Sequence, residues 1–241
     1  MNQTSGTGVP PAMSSGPKPF FQVWMDALTK PSETTFAEMA ASPNAKAMTA
    51  YLWMFVALLI ELFFTSLVQG TVVRDALRQQ GVGNNLPGGG LGITLISAVC
   101  GAPIGAVIGT VFFAIGVAIV QWVAKMFGGR GTFDQLAYSF AAISAPYGIV
   151  AAVFILLSAI PFVGLCFRIV LGLAGLYVVV LEVMAVKGVN QFGWGPALGA
   201  VFIPGLVIGF LCCCLAVGIS ATLGATLGNV FNSINQSLTT P

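Results

Sequence analysis

Three ionisable side chains stand inside long apolar runs of this 241-residue chain: Glu61, Arg168 and Glu182. A charge inside a bilayer is costly, so it usually faces protein or water and finds a partner. Opposite charges on different helices form either a structural ion pair or a relay for a transported ion. Gly128, Gly129, Arg130, Gly131 and Thr132 raise a second kind of chemistry, because a glycine loop opening a helix can cradle phosphate. A phosphate loop needs two glycines spaced across four residues and followed by lysine, and this stretch has neither the spacing nor the lysine. The glycines instead suit a helix C-cap, with Lys125 in the last turn and Thr132 as N-cap of the next helix. Histidine is absent from the whole chain. That removes the commonest general base and the commonest metal ligand. The five cysteines, Cys100, Cys166 and Cys212 to Cys214, lack zinc spacing and read as small packing residues. No metal or cofactor is expected. Without paired carboxylates at catalytic spacing or a nucleophile motif, no catalysis is expected either.

These residues must be positioned by membrane helices. Hydrophobic residues make up 57% of the chain and charged residues only 7%, against about 25% charged in soluble domains. The net charge of +2 is too small to suggest nucleic acid. Five stretches reach the roughly 20 apolar residues needed to span a bilayer: 49–69, 93–124, 136–160, 162–186 and 197–227. Pro103, Pro146 and Pro204 lie inside spans and should bend them. The expected fold is therefore all-α: a polytopic integral membrane protein of five transmembrane helices.

Lysine and arginine placement sets orientation. With the N-terminus inside, the cytoplasmic side receives Lys18, Lys30, Lys46, Lys125, Arg130 and Lys187. The other side receives Arg74, Arg78 and Arg168. This predicts N-in and C-out, with 74–90 as the sizeable external loop. Glu61 then lies about 18 Å from the cytoplasmic face, and Arg168 about 6–9 Å from the outer one. The two could pair between spans one and four. Alternatively, Arg168 snorkels outward and Glu61 stays neutral against backbone carbonyls. Glu182 lies too far from Arg168 and is closer to Lys187, Lys125 or Arg130.

Before the first span, residues 19–30 segregate Gln22, Asp26, Thr29 and Lys30 from the apolar remainder. This predicts an amphipathic helix flat on the cytoplasmic leaflet, anchored by Phe20, Phe21, Trp24 and Leu28. Thr35 to Glu38 fits a capping box for a second short helix. Ser42 with Pro43 fits the start of the helix leading into span one. Gly101, Gly105 and Gly109 form a stripe at four-residue spacing, as do pairs around span five. Such faces admit another helix, within the chain or in a homo-oligomer.

The order Trp24, Leu28, Pro31, Phe36, then Gly128 to Phe133, Leu136 to Ser139, Pro146, and Val186 to Val189 leading to Ala197, resembles the Yip1-domain family of five-span membrane proteins. Ala27 to Pro31 departs from the aspartate-leucine-x-glycine-proline stretch of its eukaryotic trafficking members. The chain is more similar to the prokaryotic type. The expected organisation is a disordered, polar and proline-rich tail at 1–18, cytoplasmic amphipathic helices at 19–47, a five-helix transmembrane domain at 48–228, which the resemblance makes Yip1-like, and a polar tail at 229–241. The resemblance also implies a non-enzymatic protein that organises or shapes the membrane or recruits partners, as eukaryotic relatives do in vesicle trafficking. The expected partners are the lipid bilayer, a cytoplasmic protein and a second copy of the chain. The expected location is a bacterial inner membrane, or an endomembrane in a eukaryote. The alternative is a small transporter, channel or lipid scramblase using Glu61 and Arg168.

Overall fold

The computed structural model describes residues 18–79, 91–158, 160, 163–207, 209–210 and 213–214, all of the regular structure there being helical. The first two helices are α1 (Phe20–Thr29) and α2 (Glu33–Ala41). The long helices are α3 (Ala47–Gln79), α5 (Ala102–Met126), α6 (Phe133–Leu157) and α7 (Val163–Asn190). A short α4 (Leu91–Ile96) leads into α5 through a π-helical turn, Ser97–Gly101. An apolar helix α8 (Trp194–Val207) follows α7.

Four stretches are long and apolar enough to cross a membrane: Ala47–Gly70, Thr94–Met126, Phe133–Leu157 and Gly164–Asn190. Their outward surfaces carry Ile104, Phe112, Leu165, Leu173 and Leu176, all more than 60% exposed. Water would penalise such surfaces heavily, whereas lipid tails do not. The fifth expected span begins in α8 and continues into residues that lie outside those described. So do the tail at 1–17, most of the expected external loop and the C-terminal tail. Arg74 to Gln79, expected in that loop, instead extend α3.

α6 is the centre of the bundle. Half of its apolar stretch is buried, against 11% in α3 and in α5. It packs on α3 along one side and α7 along the other, with α5, α1 and α2 completing its surroundings. Its buried face holds Leu136, Tyr138 and Ile143, which meet Phe36 of α2 and Leu181 of α7 in one core. Alanines at 137, 141, 142 and 145 have no exposed surface, so neighbouring backbones approach closely.

The prolines act differently from one another. Pro146 sits inside α6. Pro103 occupies the first turn of α5, immediately after the π-helical turn. That ring would clash with the carbonyl four residues back, and a widened turn is a recognised way to relieve it. α6 and α7 end and begin separately around residue 160, with the Gly164 N–H bonded to the Ile160 carbonyl at 2.9 Å.

Two local expectations are corrected. α2 is capped by Ser32, whose hydroxyl accepts from the Thr35 N–H at 3.0 Å, so Thr35 lies inside the helix. Pro31 keeps Lys30 out of the helical region, so α1 ends there, and Ser32, itself extended, takes the cap three residues upstream of Thr35. Ser42 closes α2 rather than opening α3, and α3 begins at Ala47 after a turn through Pro43. The cysteines Cys100, Cys166, Cys213 and Cys214 are exposed and unpaired on outward faces, not packed inside.

Candidate functional site at the hinge end of the bundle

The start of α3, the end of α5, the start of α6 and the end of α7 gather at one end, named here the hinge end. The α5–α6 connection is built residue by residue. Gly128 has φ +85°, a left-handed conformation that favours glycine. Its N–H donates to the Lys125 carbonyl at 3.0 Å, and the Gly129 N–H to Ala124 at 2.9 Å. Those two bonds make a Schellman cap. Thr132 then opens α6 through a reciprocal capping box: its hydroxyl accepts from Gln135 N–H, and the Gln135 side chain accepts from Thr132 N–H at 2.9 Å. Arg130 donates its N–H to the Asn190 carbonyl at 3.2 Å. The amides of Gly128, Gly129, Arg130 and Thr132 are therefore all engaged within the protein. A phosphate cradle needs those donors free, and here they are not.

Two side chains unmarked in the sequence reading hold this loop. Asn190, fully buried at the end of α7, exchanges hydrogen bonds with buried Gln121 of α5 at 3.1 and 3.3 Å. Gln121 also donates to the Gly131 carbonyl at 2.7 Å, and Asn190 to the Val186 carbonyl at 3.1 Å. A Cβ on Gly129 would stand 2.5 Å from Asn190 Oδ1, and one on Gly131 2.5 Å from Val189 Cγ1. The glycines are thus spaces for α7 to close against the loop. The retrievable signal was an uncharged polar residue at the end of each of two apolar spans.

The N-terminal arm, α1 and α2, docks on the same end. Phe36 of α2 is fully buried, and a Cβ on Gly188 of α7 would stand 3.0 Å from Phe36 Cβ. Lys187 pairs with Glu33 of α2 at 2.5 Å and lies over the Trp194 ring of α8 at 4.5 Å, joining three elements. α1 enters an aromatic chain in which Phe20 meets Trp24 at 5.4 Å, Trp24 meets Trp53 at 5.6 Å, and Trp53 meets Tyr138 at 5.0 Å. Tyr177 of α7 donates its hydroxyl to the Leu28 carbonyl at 2.7 Å. Trp24 Nε1 is buried without a partner among the described residues.

The helical wheel of α1 is corrected by this docking. Val23, Asp26 and Ala27 are buried, while Phe20, Phe21 and Met25 point outward and Trp24 and Leu28 are half-buried. Asp26 can turn inward because two ammonium groups neutralise it. The hydrogen bond from Lys18 at 2.8 Å holds its carboxyl below the usual range against the opposing effect of burial, and Lys30 at 3.6 Å adds its charge.

The intramembrane charges are kept apart. Glu61 of α3 faces α6, where a Cβ on Gly148 would stand 3.2 Å from its Oε2. Arg168 is exposed on α7. α6 lies against both α3 and α7, and among the described residues no ion pair joins Glu61 to Arg168. The pairing expected between spans one and four is therefore corrected: depth matched, but a helix intervenes. Glu182 is half-buried on α7 with no recorded ion pair among the described residues. Lys187, a candidate partner for it, is taken by Glu33. Tyr147 of α6 supplies a tie not anticipated, donating to the Leu171 carbonyl of α7 at 3.3 Å.

Within the glycine stripe, Gly105 and Gly109 face Leu62 and Leu58 of the chain's own α3, at 2.8 and 2.9 Å from an added Cβ. Nothing lies within 4 Å of one on Gly101. Gly199 of α8 similarly meets Phe127.

The Yip1 domain model matches residues 25–216, from inside α1 through the start of the C-terminal apolar segment. The chain belongs to the Yip1 family. This Yip1 match spans most of the chain and includes the arm, the hinge and the four long apolar helices. Together these make it a multi-pass integral membrane protein. No curated protein and no solved structure matches this Yip1-family chain.

Proposed function

We propose that this Yip1-family chain is a non-enzymatic membrane organiser with its hinge end in the cytoplasm. Five spans cross the bilayer, the C-terminus lies outside, and the arm with the hinge forms a platform for a cytoplasmic protein partner. The observation that carries this reading is the construction of the hinge end. Every element reaching it is tied to another, through the Gln121–Asn190 seam, the Lys187–Glu33 pair and the buried Phe36. A rigidly held end of this kind keeps the surface of the arm and hinge fixed, which suits recognition. Orientation is supported by Lys18, Lys30, Lys46, Lys125, Arg130 and Lys187, which all belong to elements or loops at that end. A homo-oligomer is a further proposal, through the outward glycines of α8.

The test is reconstitution into liposomes with ion, solute and lipid fluxes measured. The expected fluxes equal those of protein-free vesicles. Robust flux that Glu61→Gln abolishes would overturn the reading in favour of a transporter or scramblase.

A further inference from the structure

The arm does more than close the hinge end, because α1 is sunk alongside the spans. Trp53, which touches Trp24, lies six residues into α3, about 9 Å along its axis. Tyr138, next in the aromatic chain, lies five residues into α6, about 8 Å along. Tyr177, which holds the Leu28 carbonyl, stands 13 residues before the end of α7 at Asn190, about 20 Å along it. Three separate helices thus place α1 well below their own ends. The depths at Trp53 and Tyr138 match the roughly 5–10 Å to which interfacial helices enter the boundary of headgroups and acyl chains, and the C-terminal end of α1 at Leu28 reaches deeper along α7.

The outward face of α1 fits that depth. Phe20 is 58% exposed, Phe21 62% and Met25 43%. Exposed apolar residues also stand on the neighbouring spans, at Leu52 and Val56 of α3 and Leu176 and Val180 of α7. Lys18 and Lys30 flank the helix with stems long enough to reach headgroups. A helix of ten residues occupies about 150 Å² in the plane, 15 Å long and 10 Å wide.

We propose that α1 is a fixed wedge in the leaflet at the hinge end, its Phe20–Phe21–Met25 face bound by lipid, giving the protein a preference for membrane curved towards that leaflet. The wedge rests on the orientation and the organising role proposed above. Ordinary amphipathic helices sense curvature by inserting from solution, at the expense of ordering themselves. Here the helix is already folded and held against the bundle by the Tyr177 hydroxyl and the aromatic chain. Its area is added permanently to one leaflet.

The full chain with its five native cysteines replaced by alanine and Ser5→Cys added, labelled by a membrane-impermeant thiol dye from outside, reports only molecules whose N-terminal tail is outward. Tethers are pulled outward from giant vesicles, and dye density is compared between tether and flat wall. The expected tether-to-wall ratio exceeds one, and falls to one when Phe20, Phe21 and Met25 are all replaced by serine. Phe21 and Met25 lie outside the docking contacts, Phe20 meets Trp24 at 5.4 Å, and unchanged thermal unfolding in detergent checks that the triple variant keeps its fold. If the triple variant does not fold, Met25→Ser alone must lower the ratio. A wild-type ratio of one or less, or a ratio indifferent to these substitutions, overturns the wedge. Neither outcome touches the non-transport reading, which the flux measurement decides separately.

Discussion

Asn190 shows how much a single buried amide decides. Its side chain bonds Gln121 and Val186 while its backbone carbonyl takes the Arg130 amide. Asn190→Leu strands buried groups of Gln121, at a cost of about 1–3 kcal/mol. The expected outcome is a clear drop in the unfolding midpoint, measured by thermal denaturation in detergent. Gly129→Ala should also destabilise, because its Cβ meets the Ala124 carbonyl at 2.9 Å as well as Asn190. Gly128, Gly129 and Thr132 could be read as caps because capping is local chemistry. Asn190 could not, since its partner is 69 residues away and nothing local announces it. Asp26 carries a pH signature. Held by the hydrogen bond from Lys18, its carboxyl titrates below the ordinary aspartate range when the arm is docked, so its contribution is complete above that range. It is lost as pH falls through the lowered one. Asp26→Asn should therefore loosen the arm at neutral pH and make no difference in strong acid, as read by proteolysis of the arm.

Helices were more legible than their ends. Apolar length and a bilayer's thickness were enough for four spans, and proline with glycine placed the breaks between them. The cap of α2 was misplaced because two serine or threonine sites compete within Ser32 to Thr35, and only Pro31 decides between them. The inward turn of Asp26 was hidden for another reason: a helical wheel assumes that charge seeks water, whereas Lys18 and Lys30 supply its partners locally. The arm's attachment makes predictions of its own. Phe36→Ala removes a fully buried ring, a change that costs about 3–5 kcal/mol. It should free α1 and α2 to rapid proteolysis while the spans stay folded. The Lys187–Glu33 pair is half-exposed on the glutamate side and worth at most about 1 kcal/mol. Exchanging the two charges should restore most of the arm protection lost in either single reversal.

Across the molecule, counting residues gives a position along each helix but not which helices are neighbours. That count put Glu61 and Arg168 within reach of one another. The central place of α6 resolves this, with Gly148 giving Glu61 its room and Tyr147 tying α6 to α7. A bundle built around one alanine-rich helix leaves α3 and α7 on separate sides of it, each showing apolar surface to lipid. The arm then closes one end only, and the account turns on that asymmetry. Amide hydrogen exchange of the full chain in lipid nanodiscs tests it most directly. Residues 20–41 should be protected as strongly as the first turns of α6, with protection lost in Phe36→Ala. Exchange of those amides at the rate of an unstructured chain in the wild-type protein would contradict the docked arm.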